Sequence, residues 1–296
     1  MEIIRFTLDQ MPEKESNLSL ALGTFDALHK GHQKVFLETA LGAEGTSAAL
    51  LFAHPYEKGP SICSLEDKIR LLGQMRLDAL YILENDESLF EMDASSFIEK
   101  VLRPLGTKRV VIGEDFRFGK GKGGGIEELK EAFVTDVVPL LEEGGEKVSS
   151  SLAKAKIEKG NVDDLPALLG RRYEISGAVV PGSQNGRKIG FPTINLSLSF
   201  DYVLPKDGVY VGIAYLSGIA HKAIINVGVN PTVGGLPSPR VEAHLLDYSG
   251  DAYGKRAYIS FYRFLREEKR FDTLDDLRVQ LEFDKAYCEE YFAGMC

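Results

Sequence analysis

Short apolar strands alternate with helix-forming segments up to about residue 150. Beyond about Gly170 the strands follow one another with no helix between them. A chain whose pattern changes in this way reads as two differently built halves. In the first half residues 18–22, 48–52, 79–83 and 109–112 read as strands, and 31–41 and 94–102 as helices. A further helix opens at Ser64, where Ser64-Leu65-Glu66-Asp67 can satisfy its first free N–H groups. Repeated strand–helix alternation implies a doubly wound α/β unit, a parallel sheet covered by helices. Such sheets bind ligands at the carboxyl ends of their strands.

In the second half residues 173–180, 209–216, 221–227, 241–246 and 257–264 are strand-like with turn-rich connections. That run predicts an antiparallel sheet or small β-barrel. A C-terminal helix opens at Thr273-Leu274-Asp275-Asp276. Its Leu274, Leu277, Leu281 and Cys288 share one side, a spacing suited to docking on the barrel. Residues 159–164 read as the boundary, giving units of 1–160 and 161–296. The length of 296 residues agrees with two domains at roughly 100–200 residues each.

Composition narrows the function classes. Hydrophobic residues at 44% and charged residues at 27% are ordinary for a globular chain and argue against disorder. A net charge of -9 argues against a broad nucleic-acid surface, while leaving room for a local basic phosphate pocket. The N-terminal MEIIRFTLDQMPEKESN lacks the basic start and apolar core of a signal peptide, and no apolar run approaches the roughly 20 residues of a membrane span. Cys63, Cys288 and Cys296 are far apart and suggest neither a disulfide framework nor a zinc site. A cytoplasmic enzyme with small-molecule partners, and no membrane or nucleic-acid partner, is the expectation; the sequence leaves the oligomeric state open.

Two stretches carry chemistry. Gly23-Thr24-Phe25-Asp26-Ala27-Leu28-His29-Lys30-Gly31-His32 spans the end of the first predicted strand and the start of its helix. A helix N-terminus attracts phosphate through its free N–H groups and dipole, and Gly31 leaves the backbone open to a nucleotide. His29 and His32 share one side of the helix start. Placed there they suit nucleotidyl transfer, bonding the α-phosphate as charge builds in the transition state. The alternatives are two cap histidines or a metal pair, although metal pairs on helices more often use i, i+4 spacing. His54 ends the next strand at the same edge, as a pocket residue or a turn residue. Gly113-Glu114-Asp115-Phe116-Arg117-Phe118-Gly119 follows the strand ending at Ile112. The glycine-rich stretch after it reads as a mobile surface loop rather than a phosphate loop. Ser149-Ser150-Ser151-Leu152-Ala153-Lys154 sets hydroxyls and a lysine at another helix start, as N-caps or as a hold on triphosphate oxygens.

The second stretch runs from Gly182 through Gly186, Arg187 and Gly190-Phe191-Pro192-Thr193-Ile194-Asn195. Thr193 and Asn195, one strand period apart, face the same side. Their oxygens suit a hydrated Mg²⁺ held with phosphates, or they are simply a polar strand start. Ile194 should point away from both.

These residues resemble bacterial bifunctional riboflavin kinase/FMN adenylyltransferases over nearly the whole chain. The family's FDGxHxGH is matched by Phe25 to His32, GxDFRFG by Gly113 to Gly119, SSTxxR by Ser149 to Lys154, and GFPTAN by Gly190 to Asn195. Asn226-Val227-Gly228-Val229-Asn230-Pro231-Thr232, Glu242-Ala243-His244 and Leu265-Arg266-Glu267-Glu268-Lys269-Arg270-Phe271 continue the agreement in order. The resemblance implies FMN formation from riboflavin and ATP in the barrel, and FAD formation from FMN and ATP in the first unit, both with Mg²⁺. It implies Glu242, His29 and His32 as catalytic residues and Thr193 and Asn195 as metal ligands. ATP binding falls to Gly23, Phe25, Asp26, Gly31, Ser150, Ser151, Lys154, Gly186 and Arg187, and flavin binding to Asp115, Phe116, Arg266 and Phe271. Three departures stand out. Ala27 replaces a glycine, which at positive φ would cost on the order of 1 kcal/mol. Ser151 replaces a threonine and keeps the hydroxyl. Lys154 replaces an arginine and loses the two-pronged grip on phosphate. A riboflavin kinase with a weakened first domain, or a non-catalytic flavin or nucleotide sensor, are the competing readings.

Overall fold

The computed structural model describes residues 1–54, 59–84, 87–182, 190–230 and 238–295. It divides into two compact units, Met1–Ser150 and Ser151–Cys296. The first holds a six-stranded parallel sheet: β1 (Glu2–Phe6), β2 (Leu18–Ala21), β3 (Thr46–Phe52), β4 (Ala79–Leu83), β5 (Thr107–Gly113) and β6 (Val134–Val138), in the order β1-β4-β3-β2-β5-β6. Every residue of β2 and β4 is buried, which explains their unbroken apolar sequences: helices cover both faces of such a sheet. The edge strands β1 and β6 are mixed in polarity and partly exposed, so neither stood out as an apolar run.

Helix α1 (Lys30–Leu41) leaves β2 toward β3, with Val35, Phe36 and Thr39 buried. Arg109 of β5 closes its far end by bonding the Glu38 and Thr39 carbonyls and pairing with Asp136. Helix α2 (Leu65–Leu72) begins on the anticipated capping box, with Ser64 and Asp67 bonded reciprocally. Residues 94–102 form an α-turn, Ala94–Phe97, that runs on as a π-helical turn, Ile98–Leu102. The chain proceeds from β2 to β3 and β4 on one side, then crosses back to β5 on the other. The gap between the carboxyl ends of β2 and β5 is therefore the switch point where doubly wound sheets bind ligands.

After a short hairpin, β7 (Glu142–Glu143) and β8 (Glu146–Lys147), the second unit closes into an antiparallel barrel. Its strands are β9 (Tyr173–Val180), β10 (Thr193–Ser197), β11 (Gly208–Leu216), β12 (Ile219–Asn230), β13 (Ser238–Leu245) and β14 (Arg256–Arg266), in the order β10-β13-β12-β11-β14-β9. Tyr173, Tyr210 and Phe261 fill the interior, with the Tyr173 hydroxyl donating to the Val203 carbonyl at 2.6 Å. The alternate residues Val209, Val211 and Ile224 face outward and are covered by Cys288 and Phe292 of the C-terminal helix Leu274–Ala293. The helix docks through its later turns: Leu274 is 53% exposed, not part of the seam its spacing suggested. Among the described residues no helix is long and apolar enough to cross a membrane.

Candidate active sites

His29 is the N-cap of α1 in extended conformation (φ -69, ψ 170), and its Nδ1 accepts a hydrogen bond from the His32 backbone at 3.2 Å. The two rings stack with centroids 3.6 Å apart and 14° from parallel. Phe25 abuts the His32 ring edge-on and packs on Phe36, which anchors the pair to the core of α1. Two glycines make this possible. A Cβ on Gly23 would stand 2.6 Å from the Phe25 ring, and one on Gly31 would stand 3.1 Å from the His29 ring. Phe25 and Leu28 carry the loop's positive φ angles (48° and 47°). Ala27 is buried and does not share them, so the strain its Cβ would bring at positive φ does not arise.

Asp26 accepts from the Ile62 backbone at 3.1 Å and fastens this loop to the segment before α2, while Lys68 of α2 donates to the Thr24 carbonyl. Lys68 is thus a cation beside the histidine loop that no motif had drawn attention to. His54 is exposed just past β3, at the same carboxyl edge. Beyond β5, Asp115 pairs with Lys147 at 2.6 Å, and Phe116 stacks on Phe118, which is buried against Phe97. The glycine-rich stretch is pinned: Phe118 and Gly124 exchange backbone hydrogen bonds, and Gly119 (φ 73) fits against Ala94 where a Cβ would be 2.7 Å away. Ser150, Ser151 and Lys154 lie in the opening turns of the helix Ser150–Glu158. Among the described residues no group of three His, Cys, Asp or Glu is placed to hold a metal ion.

In the barrel, Thr193 and Asn195 do share one face of β10. Ile194 turns inward, buried opposite Ala243. Asn195 lies directly across from Glu242 on β13, and Glu242 directly across from Asn226 on β12. The row continues through Val209 on β11 to Arg266 on β14, so one outer row crosses five strands. A Cβ on Gly182 would stand 2.2 Å from the Asn195 amide, so glycine lets the chain beyond β9 close over it.

Burial pushes the Glu242 carboxyl above the usual carboxylate range; Arg240 opposes the shift and Glu268 adds to it. Arg240 and Glu268 pair at 2.7 Å, with the Glu268 carboxylate over Gly228, where a Cβ would meet it at 2.7 Å. His244, opposite Thr193, is buried; its Nδ1 bonds the Pro192 carbonyl at 2.8 Å, and burial lowers its pKa, so the ring latches the start of β10 in neutral form. Arg266 is held by Asp284 of the C-terminal helix through a two-pronged pair at 2.7 and 2.9 Å. Phe271 follows β14 and is half-buried. Gly186, Arg187 and Thr232 lie outside the described residues. The Asn226 oxygen and the Arg240 Nε are both buried without a hydrogen-bond partner among the described residues. Asn226 opens one of the motifs that carry the resemblance but had been given no role there, and Arg240 belongs to none of them.

The FAD synthetase family model matches residues 11–152, and the riboflavin kinase model residues 169–292. Curated bifunctional riboflavin kinase/FMN adenylyltransferases resemble the chain over nearly its full length. The Bacillus subtilis protein is 33% identical, over 96% of this chain and 95% of its own. The Escherichia coli K12 protein is 32% identical, over 99% and 98%. A solved chain described as a macrolide-efflux protein from Streptococcus pneumoniae superposes with a TM-score of 0.87 at 29% identity, covering 98% of this chain and 99% of that one.

Proposed function

The chain belongs to the bifunctional riboflavin kinase/FMN adenylyltransferases, and on that premise we propose which of its residues carry each reaction. In the kinase reaction the riboflavin 5′-oxygen bonds to the γ-phosphorus of ATP, the bond from that phosphorus to the β-phosphate oxygen breaks, and ADP leaves. Glu242 takes the hydroxyl proton. The observation that carries this is its position in the outer row, beside Asn195 and with its pKa raised toward neutrality by burial. A carboxylate shifted in that direction accepts a proton more readily than an exposed one.

The Thr193 hydroxyl and Asn195 amide oxygen are hard, neutral donors on one face, and they fit an ion that keeps most of its shell as water and phosphate. We assign Mg²⁺ to them; when bound it neutralises charge on the transferring phosphates. Arg187 and Gly186 are proposed for ATP on sequence grounds alone, and Phe271 for the flavin on the same basis. Arg266 contributes to the flavin site as a fixed wall, since Asp284 already occupies its guanidinium.

In the adenylyl reaction an FMN phosphate oxygen bonds to the α-phosphorus of a second ATP, and pyrophosphate leaves. His29 and His32, stacked at the N-terminus of α1 beside the β2/β5 switch point, are aimed where negative charge develops. Gly23, Phe25, Asp26 and Gly31 shape that loop. Asp115 and Phe116 at the end of β5 are the proposed FMN contacts, and Ser150, Ser151 and Lys154 the proposed triphosphate contacts. We place the functional boundary at 160/161 and the protein in the cytoplasm, acting on small molecules alone. Riboflavin, ATP and Mg²⁺ supplied together should give both FMN and FAD on chromatographic separation. FMN alone would leave the first unit without its reaction, and neither product would leave a sensor.

A further inference from the structure

Asn226 lies directly opposite Glu242, between it and Val209, in the outer row that ends at Arg266. Its amide oxygen is buried and bonds to nothing among the described residues. Leaving a buried acceptor unpaired is costly, so a chain that keeps one beside a reacting carboxylate points to a partner that arrives with the substrate. Neighbouring strands are roughly 5 Å apart. A chain that brings its terminal hydroxyl to Glu242 and continues along the row therefore sets a carbon or two further back against Asn226. Riboflavin carries hydroxyls at those carbons of its ribityl chain.

We infer that Asn226 reads the ribityl chain: its amide oxygen accepts a hydrogen bond from a secondary hydroxyl next to the 5′-hydroxyl that Glu242 deprotonates, and so selects polyol-bearing flavins. This rests on the assignment of Glu242 as the base. The buried oxygen gains its missing partner only when a hydroxyl stands there. A flavin with a plain alkyl spacer leaves it unpaired, which makes the residue a specificity determinant rather than a general support. No proton moves to or from Asn226 in the reaction.

The test compares riboflavin with a flavin bearing a 5-hydroxypentyl chain at N10, which keeps the terminal hydroxyl and lacks the others. The wild-type chain should prefer riboflavin in kcat/KM. Asn226→Leu, close in size, should lower kcat/KM for riboflavin by roughly 10–100-fold and change that for the hydroxypentyl flavin by less than about threefold, erasing the preference. Asn226→Ala gives the same reading if the leucine variant does not fold. Equal losses on both flavins, or an undiminished preference for riboflavin, overturn the inference. Glu242→Gln is run alongside. If it phosphorylates riboflavin at the wild-type rate, the site assignment itself falls and the inference with it. If it is inactive while Asn226→Leu keeps the preference, only the role of Asn226 is wrong.

Discussion

Arg266, the last residue of β14, and Asp284 of the C-terminal helix form a two-pronged ion pair in which the carboxylate is only 2% exposed. Gln280 donates a further hydrogen bond to the same carboxylate. The pair clamps the helix across the barrel face that carries the outer row. Removing one partner strands the other charge in a poorly solvated place, which typically costs about 3–5 kcal/mol. Asp284→Ala should therefore lose kinase activity at markedly lower urea than the wild type, with FAD formation from FMN less affected. Equal urea midpoints for the kinase would mean that the helix is held by Cys288 and Phe292 alone.

The two reactions should separate by single substitutions. Glu242→Gln should lower FMN formation by about 10²-fold or more and spare FAD formation from supplied FMN. His32→Ala should do the reverse, with a loss of about 10²–10³-fold from one missing transition-state donor. Parallel losses in both assays from either change would indicate unfolding rather than chemistry.

A pH profile tests the environment of Glu242. As the proposed base, Glu242 must be ionised to act, so riboflavin kcat/KM should fall as pH drops through its raised pKa. The acid limb should sit above the ordinary carboxylate value of about 4.3. Glu268 contributes to that rise and Arg240 opposes it, and the two are paired with each other. Glu268→Gln removes the like charge and leaves Arg240 to act on Glu242, so the limb should move to lower pH. A limb that stays put, or moves upward, contradicts this account.

Lys154 offers one compact charge where the SSTxxR motif that it resembles would put a forked one. If it touches triphosphate, Lys154→Arg should speed FAD formation by at most roughly 10–100-fold, the worth of one charge-assisted hydrogen bond. Lys154→Ala should slow it, and the kinase should be unchanged in both. Three equal rates of FAD formation would remove Lys154 from the site.

A fragment beginning at Asn161 keeps the turn Val162–Asp164, whose Val162 is buried, together with the closed barrel and its helix. It should fold and phosphorylate riboflavin. An insoluble or inactive fragment would move the functional boundary toward Ser151, where the contacts divide the chain.

Patterns local to a few residues are legible in the amino-acid sequence itself. Fully buried strands such as β2 and β4 announce themselves because both faces must be apolar. The helix caps at Ser64 and Thr273 do so because their hydrogen bonds span three residues. The contiguous motifs at Phe25 to His32 and Gly190 to Asn195 carry the functional reading for the same reason. What the sequence could not determine depends on neighbours far along the chain. Whether Ala27 is strained was decided by Phe25 and Leu28 taking up the positive φ angles instead. That Leu274 stays exposed while Cys288 packs was decided by where the barrel surface ends. Asn195, Glu242, Asn226 and Arg266 are separated by up to 71 positions in the sequence. Only strand register, set by barrel closure, brings them into one row, and with it the buried, unpartnered Asn226 oxygen beside Glu242.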